Sequence, residues 1–97
     1  GGEPFLQPAA LLPLARAAHE RGLDAWSYSG FTLEELRAQG DPDVDALLDE
    51  LDVLVAGDYR EELRDLTLHF RGSRNQRVID LAATRATGTL TLLYADE

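Results

Sequence analysis

The spacing of apolar residues changes period along the chain, and each change marks an element. In QPAALLPLARAAHERG, Leu11, Leu14, Ala15 and Ala18 recur at helical spacing while Arg16, His19 and Glu20 fall mostly on the other side, which predicts an amphipathic helix. Pro8 suits a first helical position. Pro13 removes an interior backbone donor, so the regular helix is expected from near Leu12 to Gly22. LDAWSYSG is rich in strand formers and closes on Gly30, which predicts a strand running into a turn. FTLEEL then opens a helix. Thr32 and Glu35 have capping-box spacing, and Phe31 and Leu36 stand where a hydrophobic staple would put them. GDPDVDALLDE repeats the logic, with Asp41 as cap, Pro42 in first position and acids in the first turn.

DVLVAG is a continuous apolar run ended by glycine, the pattern of a strand covered on both faces in a parallel sheet. The order helix, strand, helix, helix, strand is that of an α/β fold. From Asp58 to Gln76 the chain is polar and irregular, with one helical turn expected in EELRDL and a loop in RGSRNQ. A short apolar run follows at Val78 to Ala82, and a strand is expected from Thr89 to Tyr94. The 97 residues read as one domain, without internal repeats or low-complexity segments.

Composition narrows the choice of partners. Nine basic against 18 acidic residues give a net charge of −9, which repels phosphate backbones and anionic membranes, so neither nucleic acid nor a membrane is an expected partner. There is no cysteine, which rules out disulfides, thiolate nucleophiles and cysteine-ligated metal within these residues. No signal peptide is visible, and the expected location is the cytoplasm. His19 reads as a helix-surface residue and His69 as a loop residue, without a second histidine at ligand spacing, so no metal site is expected.

In parallel α/β sheets ligands sit beyond the carboxyl ends of the strands. That rule selects Gly1 to Pro4 if a strand preceded them, Tyr28 to Phe31, Gly57 to Tyr59, and the RGSRNQ loop if it folds back to the same rim. Each has a plainer reading. Gly1 and Gly2 read equally as a remnant of tag removal, and Gly30 and Gly57 as simple turns. Trp26 and Tyr28 read as core or helix-packing aromatics rather than stacking platforms. Arg71, Arg74 and Arg77 suit carboxylate or phosphate groups, or pair with the chain's own acids such as Asp65 or Asp80. Ser73, Asn75 and Gln76 read equally as turn caps. GxxxxGK[ST], HExxH and a serine-histidine-aspartate spacing are absent.

Three stretches together resemble one family. GGEPFLQP is similar to the Gly-Gly-Glu motif of radical S-adenosylmethionine (SAM) enzymes. WSYSGFTLEEL and DVLVAGDYREELRDLTLHFRGSRNQRVIDL resemble the later half of their activating-enzyme branch, the one that acts on anaerobic ribonucleotide reductase. The resemblance covers nearly the whole chain. It implies an α/β fold forming the C-terminal portion of a partial (βα) barrel, with mainly parallel strands, and a radical SAM oxidoreductase as the full-length protein. By the same resemblance Gly1, Gly2 and Glu3 bind the SAM amino group, and Tyr28, Ser29 and Gly30 lie near the cofactor. Arg71, Gly72, Ser73, Asn75 and Gln76 contribute to that face or to the surface meeting the reductase.

Family chemistry also uses a 4Fe-4S cluster on a CxxxCxxC motif, whose electron cleaves SAM so that a glycyl radical forms on the partner. Without cysteine this chain alone is expected to be silent, with the cluster carried only by the full-length protein, upstream of Gly1. Ala56 before Gly57, Arg74 for a usual serine, and Asp65-Leu66 without the usual proline depart from the family pattern. They leave the identity of the glycyl radical partner open. The competing reading is a cluster-free α/β ligand-binding or protein-interaction module on the same scaffold. An exposed sheet edge would also invite self-association.

Overall fold

A computed structural model describes residues 3–58, 60–64 and 75–93. Glu3 leads into a 3-10 turn, Pro4–Leu6, and then α1, Pro8–Glu20. β1, Trp26–Ser29, is followed by α2, Leu33–Ala38, and α3, Pro42–Glu50. β2, Val53–Ala56, a 3-10 turn at Glu61–Leu63, β3, Arg77–Asp80, and α4, Leu81–Thr87, complete the order.

The helix starts follow from their caps. Thr32 accepts from the Glu35 amide at 3.1 Å while Glu35 returns a carboxylate to the Thr32 amide at 2.9 Å, a complete capping box. Asp41 accepts from the Asp43 amide and Pro42 stands at the first position of α3. α1 differs from expectation. It begins at Pro8 and passes through Pro13, five residues earlier than that proline. The first helical amides have no partner within the helix in any case, and those of Ala10 and Leu11 are taken up by the Gln7 carbonyl. Pro13 therefore removes one bond near the start rather than breaking an established ladder.

The sheet runs β1-β2-β3. β1 and β2 are parallel, with Trp26 beside Val53 and Ser29 beside Ala56, as expected for strands joined through helices. β3 corrects the expectation of mainly parallel strands, because it pairs antiparallel to β2, Ala56 beside Arg77. No helical crossover is needed between antiparallel neighbours. The two ends of the β2–β3 connection, Gly57–Asp58 and Asn75–Gln76, accordingly meet at one rim. Among the described residues the expected C-terminal strand is reduced to a bridge between Leu92 and Ile79, flanked by backbone bonds from Asp80 to Thr91 and from Leu93 to Val78, while Tyr94 lies outside them. The run at Val78 to Ala82 splits into the end of β3 and the start of α4, with Asp80 as N-cap and Gly88, at φ +73°, as the C-terminal stop.

Strand alternation sends Ser29, Leu54, Ala56 and Ile79 to one face. Leu54, Ala56 and Ile79 join Ala15, Leu33, Leu36, Val44, Leu47, Leu48 and Leu51 in the core, with Phe5 and Phe31 closing its upper end. Trp26, Tyr28 and Val55 turn to the other face. The core reading of the two aromatics is overturned there: Trp26 is 42% and Tyr28 53% exposed. β1 ends the row of described strands, and α1 and α3 contribute to the core with Leu54, Ala56 and Ile79, on the face opposite Trp26 and Tyr28. No helix among the described residues is long and apolar enough to cross a membrane.

Candidate functional site

The carboxyl ends of β1 and β2 and the start of β3 converge on one rim, and Glu3 organises its first side. Glu3 Oε1 accepts from the Gly30 amide at 2.6 Å, its Oε2 from the Phe5 amide at 2.9 Å, and both oxygens lie about equally close to the Ser29 hydroxyl, at 3.0 and 2.9 Å. Ser29 is 2% exposed and its Oγ also accepts from the Phe31 amide at 3.0 Å. One buried hydroxyl thus joins the N-terminal segment, the end of β1 and the entry to α2. Among the described residues three donors meet a carboxylate that offers about four acceptor directions, which leaves room for one more donor.

The second side is built from β2 and β3. The Gly57 amide donates to the carbonyls of Ser29 at 3.0 Å and Phe31 at 3.1 Å, which ties the two strand ends together. Gly57 has φ +117°, a conformation that side chains disfavour, and an added Cβ would touch the backbone of Asn75 and Gln76 at 3.5 Å. Asn75 Nδ2 donates to the Asp58 carbonyl at 2.6 Å, and Gln76 Nε2 to the Gly57 carbonyl at 2.9 Å. Between the sides stands Gly30. A Cβ there would lie 3.5 Å from both Glu3 Oε1 and Asp58 Oδ1, so this rim is a narrow gap flanked by two carboxylates.

Several expected site residues therefore share one place: Glu3, Ser29, Gly30, Asn75 and Gln76. The last two donate from their side-chain amides to the loop after β2, across 17 and 19 residues rather than as local turn caps. Tyr28 lies just outside, where with Glu3, Gln7, Leu11, Trp26 and Ser27 it lines a groove of about 390 Å³ beside β1. Gly1, Gly2, Arg71, Gly72 and Ser73 lie outside the described residues, as do Arg74, Asp65 and His69. Arg77 pairs with one of the chain's own acids, but with Glu34, at 2.6 Å, rather than Asp80. The Arg77 bond lowers the Glu34 pKa below the ordinary carboxylate value. Asp80 is instead occupied in capping α4. Sequence reasoning did not single out the Asp58 side chain as a wall of the gap, although its place directly after Gly57 at a strand end was the available signal.

Residues 1–79 match a family described as 4Fe-4S single cluster domain. Over 81 residues the chain is 41% identical to an anaerobic ribonucleoside-triphosphate reductase-activating protein of Pasteurella multocida, a match covering 78% of this chain and 49% of that protein. The protein of the same name from Vibrio cholerae is 40% identical with the same coverage, and that of Salmonella typhimurium is 37% identical over 83 residues, 80% of this chain and 51% of the relative. The chain belongs to the 4Fe-4S single cluster domain family. It spans about half the length of the reductase-activating proteins it matches. No solved structure matches it.

Protein 4Fe-4S clusters are held chiefly by cysteine thiolates. These 97 residues include none, and no group of three His, Cys, Asp or Glu among the described residues is placed to hold a metal ion. The residues present do not fit the cluster that the family description names.

Proposed function

We propose that these residues form part of the SAM site of a radical SAM activating enzyme whose partner is an anaerobic ribonucleotide reductase or a related glycyl radical enzyme. Similarity to anaerobic ribonucleoside-triphosphate reductase-activating proteins supports the partner class. The observation that carries the site is the Glu3 carboxylate, fixed by the Gly30 and Phe5 amides and the Ser29 hydroxyl and left with one acceptor direction at the rim. An ammonium group suits that direction, because a charged donor on a preoriented carboxylate bonds more strongly than a neutral one.

Glu3 would hold the amino end of SAM, Gly30 would let the ligand approach the backbone without a side chain in the gap, and Gly57 with Gln76 would keep the facing loop in place. SAM, when bound, supplies the adenosyl group of the family's radical chemistry. Any cluster serving it would need thiolates from outside these 97 residues. In the complete protein the present sheet would form the later part of a partial (βα) barrel.

Gly30→Ala tests the assignment. Gly30 does not adopt a positive φ, and its new methyl would make only ordinary contacts, so the fold should survive. Calorimetric titration with SAM is expected to show weak binding by the parent chain and at least a tenfold loss in the variant, about 1.4 kcal/mol. Equal binding by both would remove the rim from the SAM site. Tight binding by the chain itself would favour the reading of a module that works without a cluster.

A further inference from the structure

The pole of the sheet opposite the rim carries a second polar constellation that no part of the proposed activity uses. Asp52 stands immediately before β2. Its Oδ2 accepts from the Ala25 amide at 2.7 Å, just before β1, and lies 2.7 Å from His19 Nε2 in the last turn of α1. The Asp52 backbone carbonyl accepts from the Leu81 amide at 2.8 Å, where α4 begins. His19 Nδ1 faces Glu50 Oε2, at the end of α3, at 3.7 Å. A single imidazole therefore lies between the carboxylates of Glu50, at the end of α3, and Asp52, in the link to β2, and Asp52 is the residue on which the starts of β1 and α4 are hung.

We propose that His19, clasped between Glu50 and Asp52, is a proton-operated latch that fastens the C-terminal end of α1 to α3 and to the lower edge of the sheet. Both ring nitrogens face acceptors, and only the imidazolium has a proton for each. The neutral ring has one N–H and must leave the other nitrogen facing an anion. The α1 carboxyl end, where carbonyls point outward, favours a cation as well.

The acidic groups around the ring outweigh the nearby cations among the described residues. Asp24, in the turn after α1, adds to Asp52 and Glu50 in favouring the protonated ring. Arg16, on α1, meets Glu50 Oε1 at 3.4 Å and moderates that carboxylate, and Arg85 of α4 lies on the side of Asp52, where its guanidinium caps the carbonyls of Leu48 and Leu51. The Asp52 hydrogen bond is the largest influence on His19 and outweighs its partial burial, so the ring protonates more readily than a free imidazole with pKa 6.5. At Asp52 burial opposes ionisation, but the Ala25 amide and His19 prevail and its pKa falls below the ordinary value.

The sign of the linkage follows. A histidine whose folded pKa is raised contributes stability fully below the unfolded value of 6.5 and loses that contribution as pH rises through the folded value. His19→Gln keeps a hydrogen-bonding side chain that cannot titrate. Thermal unfolding of the 97-residue chain and of this variant should differ most below pH 6.5, with the parent melting higher, and should converge as pH rises through the folded His19 value. In parallel, the His19 ring resonance of the parent, assigned through its connectivity to the backbone, should titrate with a midpoint above 6.5. A melting difference that does not change with pH, or a midpoint at or below 6.5, would overturn the latch. The ring titration is read in the parent alone, so a poorly folded variant does not protect the proposal.

Discussion

At the scale of single residues the rim depends on a few groups with more than one role. Ser29 is the clearest. Its buried hydroxyl donates to Glu3 and accepts from Phe31, so Ser29→Ala leaves the Phe31 amide without that acceptor and loosens the N-terminal segment at once. The expected cost is about 1–3 kcal/mol, because an unsatisfied buried donor loses its hydration without replacement. Urea unfolding checks it, and a loss below about 0.5 kcal/mol would mean that water takes over the bonds. Arg77 and Glu34 contrast with this. Their contact is short, but Glu34 is largely exposed, and such pairs contribute at most about 1 kcal/mol. Local chemistry was legible at this scale where partners are close in sequence, as at Thr32 and Glu35. The bond from Glu3 to Gly30 spans 27 residues, and bottom-up reading of composition and spacing could not supply it.

At the scale of elements, caps did more than periodicity to set boundaries. The second and third helices were readable because each announces its start with a side chain that satisfies a backbone amide. Thr32→Ala should cost about 1 kcal/mol by removing half of a reciprocal cap, and a chemical denaturation curve with unchanged slope would show that the loss is one of stability alone. α4 escaped notice because its two signals, Asp80 before it and Gly88 after it, enclose only seven residues that follow directly on a strand. The start of α1 was misplaced because Pro13 was weighed as an interior residue, whereas only one bond is lost so near the first turn. Trp26 and Tyr28 were misread for a different reason. Aromatic residues in a strand do pack in most sheets, but which face receives the helices is decided by the pairing of β1 with β2 and the placement of α1 and α3, and no local pattern contains that.

At the scale of the whole molecule, the two ends of the sheet divide the work. The lower pole, around Asp52, holds helices and strands together, while the upper rim leaves a gap between carboxylates where the parallel strands end. That division is what an α/β sheet offers for ligand binding, and the family resemblance put Glu3 and Tyr28 to Gly30 near one cofactor while leaving Asn75 and Gln76 to that face or to the surface meeting the reductase. The antiparallel β3 was not legible, since the residues between Gly57 and Asn75 give no periodic pattern that tells a crossover from a return.

SAM is proposed to meet this chain at the upper rim. Residue-resolved amide spectra of the 97-residue chain, recorded during titration with SAM, test this. The amides of Phe5, Gly30, Phe31 and Gly57 should shift together while those of Ala25, Leu81 and the lower pole stay in place. Shifts confined to the lower pole or the helix surfaces, or no shift at millimolar SAM, would contradict it.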